Sequence, residues 1–486
     1  MSRSVGRKIS LTAAARQAGR ALAAASALAV TASPALAHVS DRGFVLLLPT
    51  GHYLAGGAVA VAASFAVLAL MPGTAIGAIA HARLPLMRGE PRGRQATSLL
   101  SFIVFAVLVL AGWLGSRDPL SNPLPLVVWT LMWVGLTLVQ GLVGNLWRWI
   151  DPWYGPWRLM RRLAGDRSGR PMLRLPSWIG YWPAFALFFG FAWFELIDPA
   201  PDDPARLATV AAAYYAANLG ATLVFGHDEW SRRGECLSAF YSLLSRYAII
   251  GIEGEGATAR TVLRLPGAGI EAERPLPPSG ALFLLLTLAS VSFDGLSRTF
   301  FWLAANGVNP LEFPGRSAMM WTNTSGLLAT FAVLAIAYLL AVAAGQAMTH
   351  SVVTLRRAGG LFVWSIVPIA LAYHFSHYLT VLLVNGQYAL VALSDPFAAG
   401  WNLFGTAYMQ VVTGVTLGAE AAWIVWNLQA AAIVGGHVLA VLAAHRIATR
   451  LHPHPAHALL SELPLTVLMV AYTVFGLWLL ATPTGA

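Results

Sequence analysis

The chain has 486 residues, of which 57% are hydrophobic and only 11% charged, and it carries a net charge of +10. Soluble domains carry about 25% charged residues, so this composition excludes one large soluble core. Apolar runs of roughly 20 residues, each long enough to cross a bilayer as a helix, predict an all-α polytopic transmembrane bundle. The basic residues fall between those runs, which assigns them to membrane orientation and not to nucleic acid.

Residues 1–37 read as an export signal. Arg3, Arg7, Lys8, Arg16 and Arg20 precede an alanine-rich apolar core, and Ala35-Leu36-Ala37 supplies a small-x-small cleavage pattern. An uncleaved first helix is the alternative. Cleavage after Ala37 would leave His38 as the mature amino terminus, whose amine and imidazole together could chelate Cu(II). A solvated terminal residue is the plainer reading.

Ten spans follow within 38–486, which forms a single bundle: approximately 52–71, 97–115, 125–145, 178–196, 207–226, 280–303, 325–345, 361–384, 421–444 and 463–481. The loops 81–96, 146–177, 227–279, 346–360 and 445–462 hold 4, 7, 6, 2 and 2 arginines. The alternate segments hold five, at Arg42, Arg117, Arg206, Arg298 and Arg316. Such asymmetry predicts that the arginine-rich loops are cytoplasmic and both mature ends outside. The stretch 385–420 is apolar enough to hide a re-entrant segment.

Loop 146–177 mixes arginine with Trp147, Trp149, Trp153 and Trp157. Its place beside two spans predicts an interfacial belt, with indoles at headgroup level and arginines near anionic lipid. Within 227–279, Leu237, Phe240, Tyr241, Leu244 and Ala248 recur at helical spacing among charges. That pattern predicts an amphipathic helix lying on the cytoplasmic surface, followed by an irregular loop or small hairpin. Cys236 is the sole cysteine, so no internal disulfide or thiolate cluster can form. Phosphate-loop, zincin and nucleophile-elbow motifs are absent.

The ionisable residues inside the spans carry more information, because each is costly in lipid. His374 and His377 lie one turn apart on one helical face of span eight. Asp294 is at similar depth in span six, with Arg298 one turn on, and His437 sits in span nine roughly 9 Å deeper by helical rise. Two imidazoles and a carboxylate suit Zn(II) or Fe(II), which predicts His374, His377 and Asp294 as a shared divalent-metal site. His437 and His38 are secondary candidates. Each has a structural alternative. Asp294 and Arg298 at i, i+4 can neutralise one another, His437 after Gly435-Gly436 can mark a tight helix crossing, and the His374/His377 pair can be packing glue. No haem is expected, since two histidines one turn apart approach an iron from the same side.

Several stretches together suggest a group. Gly144-Asn145-Leu146-Trp147-Arg148 with Asp151-Pro152-Trp153 is one, and Ser292-Phe293-Asp294-Gly295-Leu296-Ser297-Arg298-Thr299 leading to Asn309-Pro310-Leu311 is another. With Tyr373 to Tyr378, Ser394-Asp395-Pro396-Phe397, Trp426-Asn427-Leu428-Gln429 and His437, the chain resembles bacterial integral-membrane proteins labelled fenitrothion hydrolase. The resemblance covers most of the mature chain in order. It implies cleavage of a neutral aryl phosphotriester, an apolar small molecule that reaches the site from the bilayer, and a complex with another membrane subunit. On that reading a metal would activate water, Asp294 would be a third ligand or general base, and Arg298 would stabilise developing negative charge. Two other classes stay open, a copper or small-solute transporter and a non-catalytic membrane subunit.

Overall fold

The computed structural model describes residues 50–70, 82–89, 93–166, 170–254, 258–270, 273–309, 315–416 and 418–482. The export signal, its cleavage site and His38 lie outside the described residues. The described residues form one compact unit. It is 73% helical, and among the described residues ten helices are long and apolar enough to cross a membrane. The expected all-α polytopic bundle is therefore observed, and the chain is a multi-pass membrane protein.

In chain order the elements are α1 (Thr50–Leu70), β1 (Arg83–Arg88), α2 (Arg94–Leu114), α3 (Pro123–Leu142), α4 (Trp147–Ile150), α5 (Tyr154–Leu163), α6 (Trp182–Leu196), α7 (Pro204–Phe225), α8 (His227–Arg233), α9 (Cys236–Leu244), β2 (Ile250–Glu253), β3 (Arg260–Arg264), α10 (Pro278–Ser297), α11 (Phe300–Ala305), α12 (Arg316–Met348), α13 (Leu355–Phe362), α14 (Val367–Ser394), α15 (Ala419–Leu451) and α16 (Pro455–Ala481). Local chemistry sets several starts. Asp203 caps α7 by accepting from the Arg206 N–H at 2.8 Å, with Pro204 at the first helical position. Asn122 caps α3 from Leu124 N at 3.0 Å, again with a proline behind it.

Two spans are central. In the most apolar stretch of α10 83% of residues are buried, and in the continuous α13–α14 span 89% are, against 17% in α1. Helices α6, α12, α15 and α16 pack around that pair, α3 lies along α14, α1 lies on α15 and α16, and α2 pairs with α7. Large apolar side chains such as Leu70, Val333 and Trp321 face outward on the peripheral helices, a surface suited to lipid.

Leu126–Leu136 of α3 winds as a π-helix, a form that is rare and concentrated at functional sites. Side chains of α3 itself and of two other elements bind its carbonyls. Trp133 O accepts from Thr137 Oγ1 at 2.5 Å and from His374 Nε2 at 2.8 Å, and Met132 O accepts from the Tyr241 hydroxyl at 2.9 Å.

Three expectations need correction. The helix expected on the surface is broken into α8 and α9, and α9 is buried along nearly its whole length. Phe240 of α9 lies 5.6 Å, centroid to centroid, from both Trp133 of α3 and Phe188 of α6, so α9 dips among the spans. Its one acid is consumed locally, because Glu235 accepts from Leu237 N at 2.9 Å and Ser238 N at 2.6 Å as the helix cap. The indoles of Trp147, Trp153 and Trp157 are likewise internal, at 7%, 4% and 5% exposure, and do not form a lipid-facing belt. Trp147 packs on Tyr241 and Trp153 stacks on Tyr215. Finally, residues 385–394 extend α14, and the described part of 395–416 is turns with a single 3₁₀ turn at Thr413–Thr416, so no re-entrant helix forms there.

The expected small hairpin exists and is larger than the sequence suggested. Strands β2 and β3 pair antiparallel, and β1 adds to the free edge of β3 to give the order β1-β3-β2. Cys236 is buried as a small core residue, with the Tyr214 hydroxyl 3.2 Å from its sulfur.

Candidate functional site

The site develops at the end of α10 away from the sheet. Asp294 is 2% exposed, and such a carboxylate must be paired or strongly hydrogen-bonded. Its Oδ1 lies 2.9 Å from Arg298 Nη2 one turn on. Its Oδ2 accepts from His377 Nε2 at 2.7 Å and from the Tyr378 hydroxyl at 2.9 Å. The hydroxyl has one proton to give, and on its far side Glu195 Oε1 lies 3.3 Å away. Thus α10, α14 and α6 each bring a polar group to one point.

The two faces of this cluster differ in access. Asp294 is enclosed, whereas the side chains of His377 and Arg298 are 25% and 54% exposed. Because Nε2 carries the proton given to Asp294, Nδ1 of His377 is left as an acceptor with no partner among the described residues. Gly295 beneath the ring has no side chain to obstruct it; a Cβ there would sit 3.8 Å from Nδ1.

His374 does not join this group. Its imidazole is 2% exposed, donates to Trp133 O and lies edge-on to the Trp133 indole at 4.9 Å. It lines a void of about 10 Å³ with Thr137, Phe240 and Thr287, roughly one water in size. His437 is separate again. Its Nδ1 donates to Ile433 O at 2.8 Å, and the ring lies between Tyr373 and Tyr472. A Cβ on neighbouring Gly436 would meet Ala372 Cβ at 2.4 Å and the Pro368 carbonyl at 2.9 Å. That is the tight crossing offered as the alternative reading of His437.

The donor set does not fit a metal ion. Both oxygens of Asp294 are taken, one by a guanidinium that would repel a cation, and His374 Nε2 is committed to a backbone carbonyl. Among the described residues no three His, Cys, Asp or Glu side chains gather as a metal-binding group. The expected set of His374, His377 and Asp294 is therefore not assembled, and only Asp294 with His377 and Arg298 come together.

Sequence reasoning missed Tyr378 and Glu195. Both were findable, since Tyr378 adjoins His377 and Glu195 is the sole acid in the apolar run of α6. It also missed two further acid–histidine pairs, Glu462 with His445 at 2.6 Å and Asp151 with His227 at 3.2 Å. No family model, characterised protein or solved structure matches this chain.

Proposed function

We propose that the chain is a membrane-embedded hydrolase in which Asp294 and His377 activate water against a neutral, apolar ester, aryl phosphotriesters being the class implied by the sequence resemblance. The observation that carries this reading is the 2.7 Å contact between His377 Nε2 and Asp294 Oδ2, which leaves Nδ1 free to accept a proton. A buried carboxylate behind an imidazole fixes its tautomer and stabilises the imidazolium that forms, the logic of general-base dyads.

In the proposed reaction His377 Nδ1 takes a proton from water as the water oxygen attacks phosphorus. The phosphorus–aryloxide bond breaks, the aryloxide leaves with the bonding pair, and the imidazolium returns its proton to solvent or to that aryloxide. The products are a dialkyl phosphate and a phenol. Arg298 binds Asp294 through Nη2, and its half-exposed guanidinium has further N–H groups for the negative charge growing on the phosphoryl oxygen. A neutral ester dissolves in the bilayer and can approach sideways, which charged substrates cannot do.

The test is phenolate release from a nitrophenyl dialkyl phosphate by the purified full-length protein in lipid nanodiscs. Wild type should turn over, and His377→Ala and Asp294→Asn should each lower kcat by about 10²–10⁴, the range for loss of a general base. Absence of turnover by well-folded wild type would overturn the proposal. A second reading, a non-catalytic subunit, is favoured by the dense burial of α10 and α14. It predicts lower thermal midpoints in the same variants and no turnover in any form.

A further inference from the structure

A second polar region lies at the opposite end of the bundle, where the end of α3, the segment 144–151, α8, α9, β2 and β3 enclose a cleft of about 530 Å³. That volume suits a small organic molecule better than a bare ion. Among the described residues five arginines line it, Arg94, Arg148, Arg232, Arg246 and Arg264, against the two acids Asp151 and Asp228.

Arg264 is the decisive member. Its side chain is 6% exposed, and among the described residues its nearest carboxylate oxygen, on Glu253, is 3.9 Å away. Neutral carbonyls hold it instead, with Nε donating to Ala248 O at 3.0 Å and Nη2 to Ser245 O at 3.2 Å. Gly251 and Gly269 make room for the guanidinium, since a Cβ at either would meet it at 2.5 or 2.4 Å. Carbonyls take the Nε and Nη2 protons but do not neutralise the charge, and a cation so enclosed favours an anion beside it.

The remaining walls suit the oxygens of such an anion. Ser238, Ser242 and Ser245 project into the cleft from one face of α9 and the turn after it. Ser238 Oγ accepts from Trp147 Nε1 at 2.9 Å and Ser245 Oγ donates to Ser242 O at 2.9 Å, whereas Ser242 Oγ makes no hydrogen bond among the described residues. Arg232 and Arg246 pair with Glu229 and Glu273 at 2.5 and 3.0 Å, with the arginine side chains 65% and 44% exposed. Exposed pairs of this kind are weak and exchange readily for another anion. The neighbouring Leu142, Val143 and Leu146 are partly exposed, so the mouth adjoins apolar surface as well as water.

We propose that this cleft binds a phosphate-bearing organic anion through Arg264, Arg246 and Ser242. Guanidinium and hydroxyl donors together match the several acceptor oxygens of a phosphate ester. The phosphate comes either from the headgroup of an anionic phospholipid or from a soluble phosphate ester. This inference stands apart from the chemistry proposed at Asp294, and its test does not involve turnover.

The test measures the thermal midpoint of the full-length protein in detergent, titrated with dihexanoyl phosphatidylglycerol or glycerol 3-phosphate, with sodium sulfate as control. A ligand that binds the folded state raises the midpoint with concentration. Stabilisation by both phosphate compounds assigns a soluble ester, and stabilisation by the lipid alone assigns a headgroup. Arg264→Gln should weaken the apparent Kd about tenfold or more, as expected for a lost guanidinium–phosphate contact. Ser242→Phe, which fills the cleft without touching the buried cation, should do the same if Arg264→Gln fails to fold. The proposal is overturned if neither phosphate compound raises the midpoint above the sulfate control, or if Ser242→Phe binds as wild type does.

Discussion

His374 donates its Nε2 proton to the carbonyl of Trp133 at 2.8 Å, across the interface between α14 and the π-helical part of α3. One of the two histidines expected as metal ligands thereby has a structural role. It ties the central span to a stretch of helix whose backbone geometry is unusual. Replacing it with alanine should cost about 2–5 kcal/mol, combining a lost hydrogen bond with a cavity beside the Trp133 ring. Thr137 still binds the same carbonyl, which favours the lower end of that range. The check is the thermal midpoint together with phenolate release. His374→Ala should melt earlier yet keep kcat within a fewfold of wild type, in contrast to His377→Ala.

That contrast marks where sequence reasoning ran out. Three helical steps place two side chains about 60° apart around the axis. This was enough to say that His374 and His377 share a broad face. It was not enough to say that one meets α3 and the other α10, because that depends on which helices flank α14. The ten spans were legible because a 20-residue apolar run has few other uses in a chain. Trp147, Trp153 and Trp157 were misread because an indole next to arginine has the same composition in a core as in a headgroup belt. Helix α9 was misread for a related reason. Its periodicity was real, but Glu235 satisfies itself by capping its own helix, so the charge did not force the helix to the surface. Strand β1 was invisible, since Arg83-Leu84-Pro85-Leu86-Met87-Arg88 is short, contains proline and pairs only with a distant partner.

His227 predicts a pH dependence of stability. Burial works against its imidazolium, but the hydrogen bonds to Asp151 and Asp228 and the Asp151 charge outweigh that, so it titrates above its ordinary 6.5. Burial also works against the Asp151 carboxylate, yet the hydrogen bond and charge of His227, with Arg94, hold it below its ordinary 3.8. The histidine's contribution is fully present below 6.5 and is lost as pH rises through the raised value. The carboxylate's is present above 3.8 and is lost as pH falls through the depressed one. The pair therefore stabilises most between those limits, by about 1.5–3 kcal/mol for a charged hydrogen bond. Thermal midpoints of His227→Gln should fall below wild type at pH 5.5, and the gap should narrow as pH rises through the alkaline side. A constant gap across that range would refute the pairing.

Adjacent glycines on α15 separate a packing requirement from a general one. A Cβ at Gly436 would collide with Ala372 Cβ and the Pro368 carbonyl on α14, whereas one at Gly435 would meet nothing within 4 Å. Gly436→Ala should therefore push α14 and α15 apart and cost about 1–3 kcal/mol. Gly435→Ala should be neutral or stabilising by up to about 1 kcal/mol through helix propensity. Thermal midpoints of the two single variants decide the matter, and equal losses would mean that the crossing is looser than the geometry states.

Orientation in the membrane follows from where the arginine-rich loops meet. Strand β1 from loop 81–96 pairs with β3 from loop 227–279, which joins those loops at one end of the bundle. Ile249 N and Ile250 N donate to Leu142 O and Val143 O at 3.1 and 2.8 Å, bringing the end of α3 to the same place. Leu276 N donates to Gly360 O at 2.8 Å, which adds α13. Loops rich in arginine resist translocation, so this shared end should be cytoplasmic. Reporter fusions at Gly165, Gly267 and His350 should therefore report cytoplasm, and fusions at Pro201 and Gly400 should report the opposite side. Cytoplasmic signals at both Pro201 and Gly400, with outside signals at Gly165 and Gly267, would invert the orientation. Because the sheet and the hydrogen bonds at Leu142, Val143 and Gly360 bind these loops to one another, the sites must change sides together, so a split result among Gly165, Gly267 and His350 would contradict the fold itself.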